Sequence, residues 1–81
     1  MALTLVILRP FSEEKKDIGW ISLECPGGSF VVGPDHRPLV NILAPESTLT
    51  YTVKGHEETL EVSEDGGLVH VFDNQVILFL N

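Results

Sequence analysis

The side chains with the most chemistry to offer are three histidines, His36, His56 and His70, and a single cysteine, Cys25. Together they are candidate ligands for a zinc site, but the histidines lie 20 and 14 residues apart. The close ligand pair that a metal-binding loop usually supplies is missing, so such a site would have to be assembled by the fold. Cys25 sits between Glu24 and Pro26, without a cation beside it to hold a thiolate, and reads as a small buried residue rather than a nucleophile. Ser12, Ser22, Ser29, Ser47 and Ser63 all stand outside a G-x-S-x-G elbow. The glycine pairs in PGGSF and EDGG are not followed by the lysine and helix that a phosphate loop requires. Glu57-Glu58 and Glu64-Asp65 are adjacent, and in a strand adjacent side chains point to opposite faces, so neither pair makes an acid–base couple. An enzyme is the weakest reading of these residues. A free-standing domain that binds a metal or small ligand through its histidines stays open.

Size and charge narrow the field further. Residues 1–81 are enough for one domain near the small end of what folds alone. Hydrophobic residues make up 43% and charged residues 21%, a globular rather than a disordered composition. One cysteine excludes an internal disulfide and fits a reducing compartment. Twelve Asp and Glu against five Lys and Arg give a net charge of −7. That balance argues against direct binding to nucleic acid or to an anionic membrane surface, both of which need a basic face. No apolar run approaches the roughly 20 residues of a membrane helix. The opening MALTLVILRP lacks a basic start and is interrupted by Arg9-Pro10, so it reads as a first strand rather than a signal peptide.

The elements that must position these residues follow a period of two. Leu3–Leu8, Ile18–Cys25, SFVV, PLVNIL, Thr48–Val53, Glu58–Ser63, LVHVF and VILFL read as strands. Ile21, Leu23 and Cys25 share one face, opposite Ser22 and Glu24, and Leu60 and Val62 point inward while Glu61 points out. Ser12–Asp17 (SEEKKD) reads as a polar turn, and KGHE, EDGG and DNQ as hairpin turns. Turns recur about every eight to twelve residues, the spacing of an antiparallel all-β sandwich or barrel. The densest cluster of turn residues is GGSFVVGPDHRPLV, where Pro34, Asp35, Arg37 and Pro38 flank His36. A stiff two-proline loop loses little entropy on binding, which suits a protein–protein contact. It suits equally a strand corner that His36 braces by bonding the backbone.

Taken in order, these motifs resemble a known family. A strand ending in CPGGSFVVGPDHRPLVNILAPESTLTYTV, then a hairpin, then LEVSEDGGLVHVFDNQVILFL is similar to the N-terminal β-sandwich of the epsilon subunit of F-type ATP synthases, called delta in mitochondria. The matching positions are Pro34, His36, Pro38 and Leu39, then Pro45, Gly66-Gly67, and Asp73-Asn74 with Val76. The sequence departs from the family at Glu46-Ser47, where Pro-Gly is usual, at the acidic residues of SEDGG, and at Ser29, where an acid often pairs with a basic loop of the ring. The resemblance implies a sandwich of two five-stranded sheets and a non-catalytic rotor subunit without a cofactor. Its partners would be the gamma subunit and the ring of c subunits, and its place the cytoplasmic face of a bacterial inner membrane, as a peripheral part of the F1 sector.

By position, the resemblance places the turn Gly28-Ser29, Asp35 and His36 toward the c-ring. It places His36, Arg37, Pro38, Leu39, Val40 and Ile42, with the last strands, toward gamma. The sequence stops at Asn81, where the family's C-terminal helical hairpin, implicated in inhibiting ATP hydrolysis, would begin. A sandwich lacking that hairpin is expected to leave hydrolysis uninhibited. In isolation the chain is expected to be a monomer, or a weak dimer through its exposed apolar strands.

Overall fold

The computed structural model describes residues 3–81; the first two residues of the opening segment lie outside the described residues. Nine strands account for the described chain: β1 Leu3–Arg9, β2 Ser12–Ile18, β3 Ile21–Cys25, β4 Gly28–Val32, β5 Leu39–Leu43, β6 Thr48–Val53, β7 His56–Glu61, β8 Gly67–Phe72 and β9 Gln75–Leu80. They form two sheets, one of five strands in the order β2-β1-β9-β8-β5 and one of four in the order β4-β3-β6-β7. The architecture is the expected all-β sandwich, with four strands in the second sheet rather than five. All pairings are antiparallel except β1 with β9, which run parallel with Thr4 opposite Gln75 and Leu8 opposite Phe79. A parallel pair needs a long crossover, here the whole of the second sheet, so this pairing leaves no local trace in the sequence.

Short turns set the registers. Four hairpins close over two residues each: Pro10-Phe11, Pro26-Gly27, Lys54-Gly55 and Asp73-Asn74. Lys54 and Gly55, and Asp73 and Asn74, all have positive φ, as the primed turns that match strand twist require. The turn after β3 therefore falls on Pro26-Gly27, and Gly28 and Ser29 open β4 instead of forming the turn themselves. Gly28, at φ 143°, holds a backbone shape that L-residues rarely adopt.

SEEKKD, expected as a turn, is most of strand β2, paired along its whole length with β1. It is an edge strand, so only Ile18 is buried. Apart from Ile18, which joins the core, its inward side chains reach over the rim. Lys16 Nζ lies 3.0 Å from the hydroxyl oxygen of Tyr51 on β6 and 3.4 Å from Glu58 on β7, and Glu14 approaches Arg9 at 3.6 Å. This polar clamp closes one long side of the sandwich. Between the sheets lie Leu3, Leu5, Ile7, Ile21, Leu23, Val32, Leu43, Leu49, Val69, Val71, Val76 and Leu78, all essentially without solvent contact. Cys25 lies in this cluster, as expected, and burial with nearby Glu24 raises its thiol pKa, which keeps it protonated and unreactive.

Candidate protein-binding surface

Alternation about the core fixes what each sheet shows to the outside. On β8 the buried residues are Val69 and Val71, so Leu68, His70 and Phe72 face out. On β9, Val76, Leu78 and Leu80 are buried and Ile77 and Phe79 face out. On β5, Leu43 is buried and Leu39 packs against the core, leaving Val40 and Ile42 outside. The registers place these side chains in two cross-strand rows. One runs Leu8, Phe79, Leu68, Ile42, and the other Val6, Ile77, His70, Val40.

The outer face of the five-stranded sheet is thus a continuous apolar surface. Val40 is 69% exposed, Ile42 56%, Leu68 50% and Phe79 43%. An exposed apolar patch on a small acidic chain is a candidate interaction surface. At one end it dips into an open cavity of about 430 Å³, lined by Ile42, Pro45, Gly66, Leu68, Phe79 and Leu80 among others. His70 is the polar exception in the middle of this face. It is half-buried, with its ring 4.5 Å from that of Phe72.

The loop that precedes β5 is braced as a corner. Asp35 has a φ of 63°, a left-handed conformation, and its N–H donates to Asn74 Oδ1. Asn74 Nδ2 returns a longer bond of 3.4 Å to Asp35 Oδ1, and the Asn74 carbonyl accepts from Thr4 N. Asn74 therefore ties the loop to the β8–β9 turn and to β1. His36 Nδ1 is 2.7 Å from the carbonyl oxygen of Arg37. A carbonyl only accepts, so Nδ1 carries a proton, and His36 supports its own loop.

The four residues assigned to the ring side are not brought together. Asp35 and His36 lie at the end of the sandwich that carries the Asp73-Asn74 and Lys54-Gly55 turns. Gly28 and Ser29 lie at the opposite end, beside the Pro26-Gly27 turn, with strand β4 between them. Ser29 Oγ donates to Glu24 Oε1 at 3.0 Å, which puts a carboxylate beside position 29. The six residues assigned to gamma run in sequence into β5, and Val40 and Ile42 join the apolar face. Leu39 points inward instead, against the core. Leu68, Ile77 and Phe79 complete the surface. Their signal in the sequence is that LVHVF and VILFL are apolar on both faces, the mark of a strand covered on both sides.

The histidines do not converge. His36 is in the corner loop, His56 on the edge strand β7 of the second sheet, and His70 on the outer face of the first. Among the described residues no group of three or more His, Cys, Asp or Glu side chains is placed to hold a metal ion.

No family model and no curated protein matches this sequence. Solved structures do match the fold. Over 98% of its length the chain superposes on half of a chain in the mitochondrial ATP synthase of Euglena gracilis, a cryo-EM structure of OSCP, F1 and c-ring in rotational state 1, with TM-score 0.86 and 23% identity. Over 96% of its length it superposes on 62% of a chain in the central stalk and c-ring structure of the Tetrahymena thermophila mitochondrial ATP synthase, with TM-score 0.78 and 20% identity. The chain thus spans about half to three fifths of these neighbours, and what it shares with them is the sandwich fold. The resemblance read from the sequence points to the same fold.

Proposed function

We propose that this chain is the sandwich domain of an epsilon-type rotor subunit of an F-type ATP synthase. It does no chemistry. It couples the c-ring to gamma while protons, or sodium ions, drive ATP synthesis, one copy per complex, peripheral to the membrane that holds the ring. The observation that carries this reading is the apolar outer face of the five-stranded sheet, on a fold shared with chains of ATP synthase complexes that include the central stalk and c-ring. Gamma would cover Val40, Ile42, Leu68 and Phe79, next to the braced loop of His36, Arg37 and Pro38. The ring would meet one end of the sandwich, where Gly28 and Ser29 stand with Glu24. A bacterial cytoplasmic face is retained as the location.

Size-exclusion chromatography of the chain mixed with the gamma subunit of the ATP synthase from the same genome tests this directly. A co-eluting one-to-one complex is expected, lost in Phe79→Asp and kept in Thr50→Asp on the other sheet. Failure of the unmodified chain to co-elute would overturn the reading. In the isolated state, sedimentation should show a monomer or a weak dimer, with any dimer abolished by the same Phe79→Asp change.

A further inference from the structure

The centre of the apolar face is occupied by the one outward side chain there that changes charge near neutral pH. His70 has Val40 beside it on β5 and Ile77 on β9, with Leu68 and Phe72 before and after it on its own strand. Phe72 covers part of the ring at 4.5 Å. No strand packed against it offers a compensating charge: β5, β8 and β9 contain no Asp, Glu, Lys or Arg. In its own row the next charged residue is Lys15 on β2, beyond Ile77 and Val6. That is three strand spacings away, about 14 Å, and of the wrong sign to stabilise an imidazolium. Arg9 ends β1 on its inward side, and Asp65, Asp73 and Arg37 lie in the loops at the two ends of the sheet.

While this face is open to water, a protonated His70 is solvated. Once an apolar partner covers it, the same charge is desolvated with no anion in this chain to pair it. From this arrangement we infer that docking on the five-stranded sheet is pH-sensitive, with protonation of His70 releasing the partner. This rests on the proposed function for the identity of the partner and adds the regulation of that surface.

The sign follows from linkage. The free chain binds the proton more readily than the complex does, so binding is fully present at alkaline and neutral pH. It weakens as pH falls through the imidazole range. The dissociation constant should rise about tenfold between pH 7.5 and pH 5.5, the weakening expected when one proton must be released on binding. His56 stands on the opposite sheet, away from this face, and His36, in the loop beside the contact, has the Arg37 carbonyl as a hydrogen-bond partner that His70 lacks.

The test is a fluorescence titration of the chain with the gamma subunit from the same genome at pH 7.5 and 5.5, using the unmodified protein, His70→Gln, His36→Gln and His56→Gln. Circular dichroism at both values confirms that each variant is folded. The expected result is about tenfold weaker binding at pH 5.5 for the unmodified chain, His36→Gln and His56→Gln, and a flat profile for His70→Gln. Binding that does not depend on pH overturns the inference and leaves the proposed function standing. So does binding that tightens at low pH, which would mean that the partner supplies a carboxylate. A slope removed by His36→Gln and kept by His70→Gln overturns it too. Absence of binding at both pH values overturns the proposed function, and the inference with it.

Discussion

The two sheets share one core yet present opposite surfaces to the outside. The outer face of β4-β3-β6-β7 carries Ser22, Glu24, Ser29, Thr48, Thr50, Glu57, Thr59 and Glu61, with Thr52 buried beside Gly19 and Val31 as the apolar exception on the edge strand. This is the hydrophobic-in, polar-out alternation of a sheet that faces water. The outer face of β2-β1-β9-β8-β5 instead carries Val6, Leu8, Ile77, Phe79, Leu68, Phe72, Val40 and Ile42 around His70, with Gln75 and Thr4 as polar positions at one end and charge at β2. One sheet is polar outside and the other largely apolar outside, which is the contrast on which the proposed partner contact rests. The edges do not follow the distinction: each sheet has one charge-rich edge, β2 or β7, which blocks edge pairing, and one uncharged edge, β5 or β4.

Placing charge on each face in turn should separate the two sheets most strongly. Ile42→Asp combined with Phe79→Asp should weaken gamma binding by roughly 100-fold or more, since central apolar contacts each contribute about 2 kcal/mol. Thr50→Asp combined with Thr59→Asp should leave it within about twofold. Neighbouring residues on one strand should separate stability from binding. Leu78→Ala removes a side chain with no solvent exposure and should destabilise the chain by about 2–5 kcal/mol in urea unfolding. Ile77→Ala, facing the other way, should act mainly on the affinity.

Gly67 tests how tightly the last strands pack beneath the apolar face. An added Cβ would stand 2.7 Å from the Phe79 carbonyl oxygen and 2.7 Å from a Leu80 methyl. Gly67→Ala should therefore cost about 1–3 kcal/mol. The smallest effect belongs to the polar clamp on the charged side. Tyr51→Phe loses the bond to Lys16 and should cost about 1 kcal/mol. That bond, with the Glu58 carboxylate, holds the Lys16 pKa above its ordinary value against an opposing contribution from burial. A raised pKa means stability that is complete below the unfolded-state pKa of lysine and is lost as pH rises through the folded value. Thermal unfolding of the unmodified chain should thus fall more steeply at strongly alkaline pH than that of Lys16→Met.

Much of this contrast was legible in the chain. The alternation in TLTYTV and ETLEVS marks strands with one wet face, while LVHVF, interrupted only by His70, and VILFL put apolar residues on both faces. SEEKKD concealed a strand because an edge strand with both faces at the rim has no apolar alternation to read. The β1–β9 pairing was hidden for a different reason: it depends on which distant strands meet, and local pattern carries nothing about that. The separation of Ser29 from His36 was within reach, since SFVV, read as a strand, lies between them. Asn74 was visible as a turn residue, but its hold on the His36 loop spans 39 positions and emerges only from the fold.

Whether the apolar sheet is the covered one can be read from hydroxyl-radical footprinting of the chain with and without gamma. Ile42, Leu68 and Phe79 should lose reactivity in the complex, while Phe30 and Val31, exposed on the other sheet, should keep theirs. Protection confined to the Ser/Thr/Glu face, or unchanged reactivity of Phe79 in a formed complex, would contradict it.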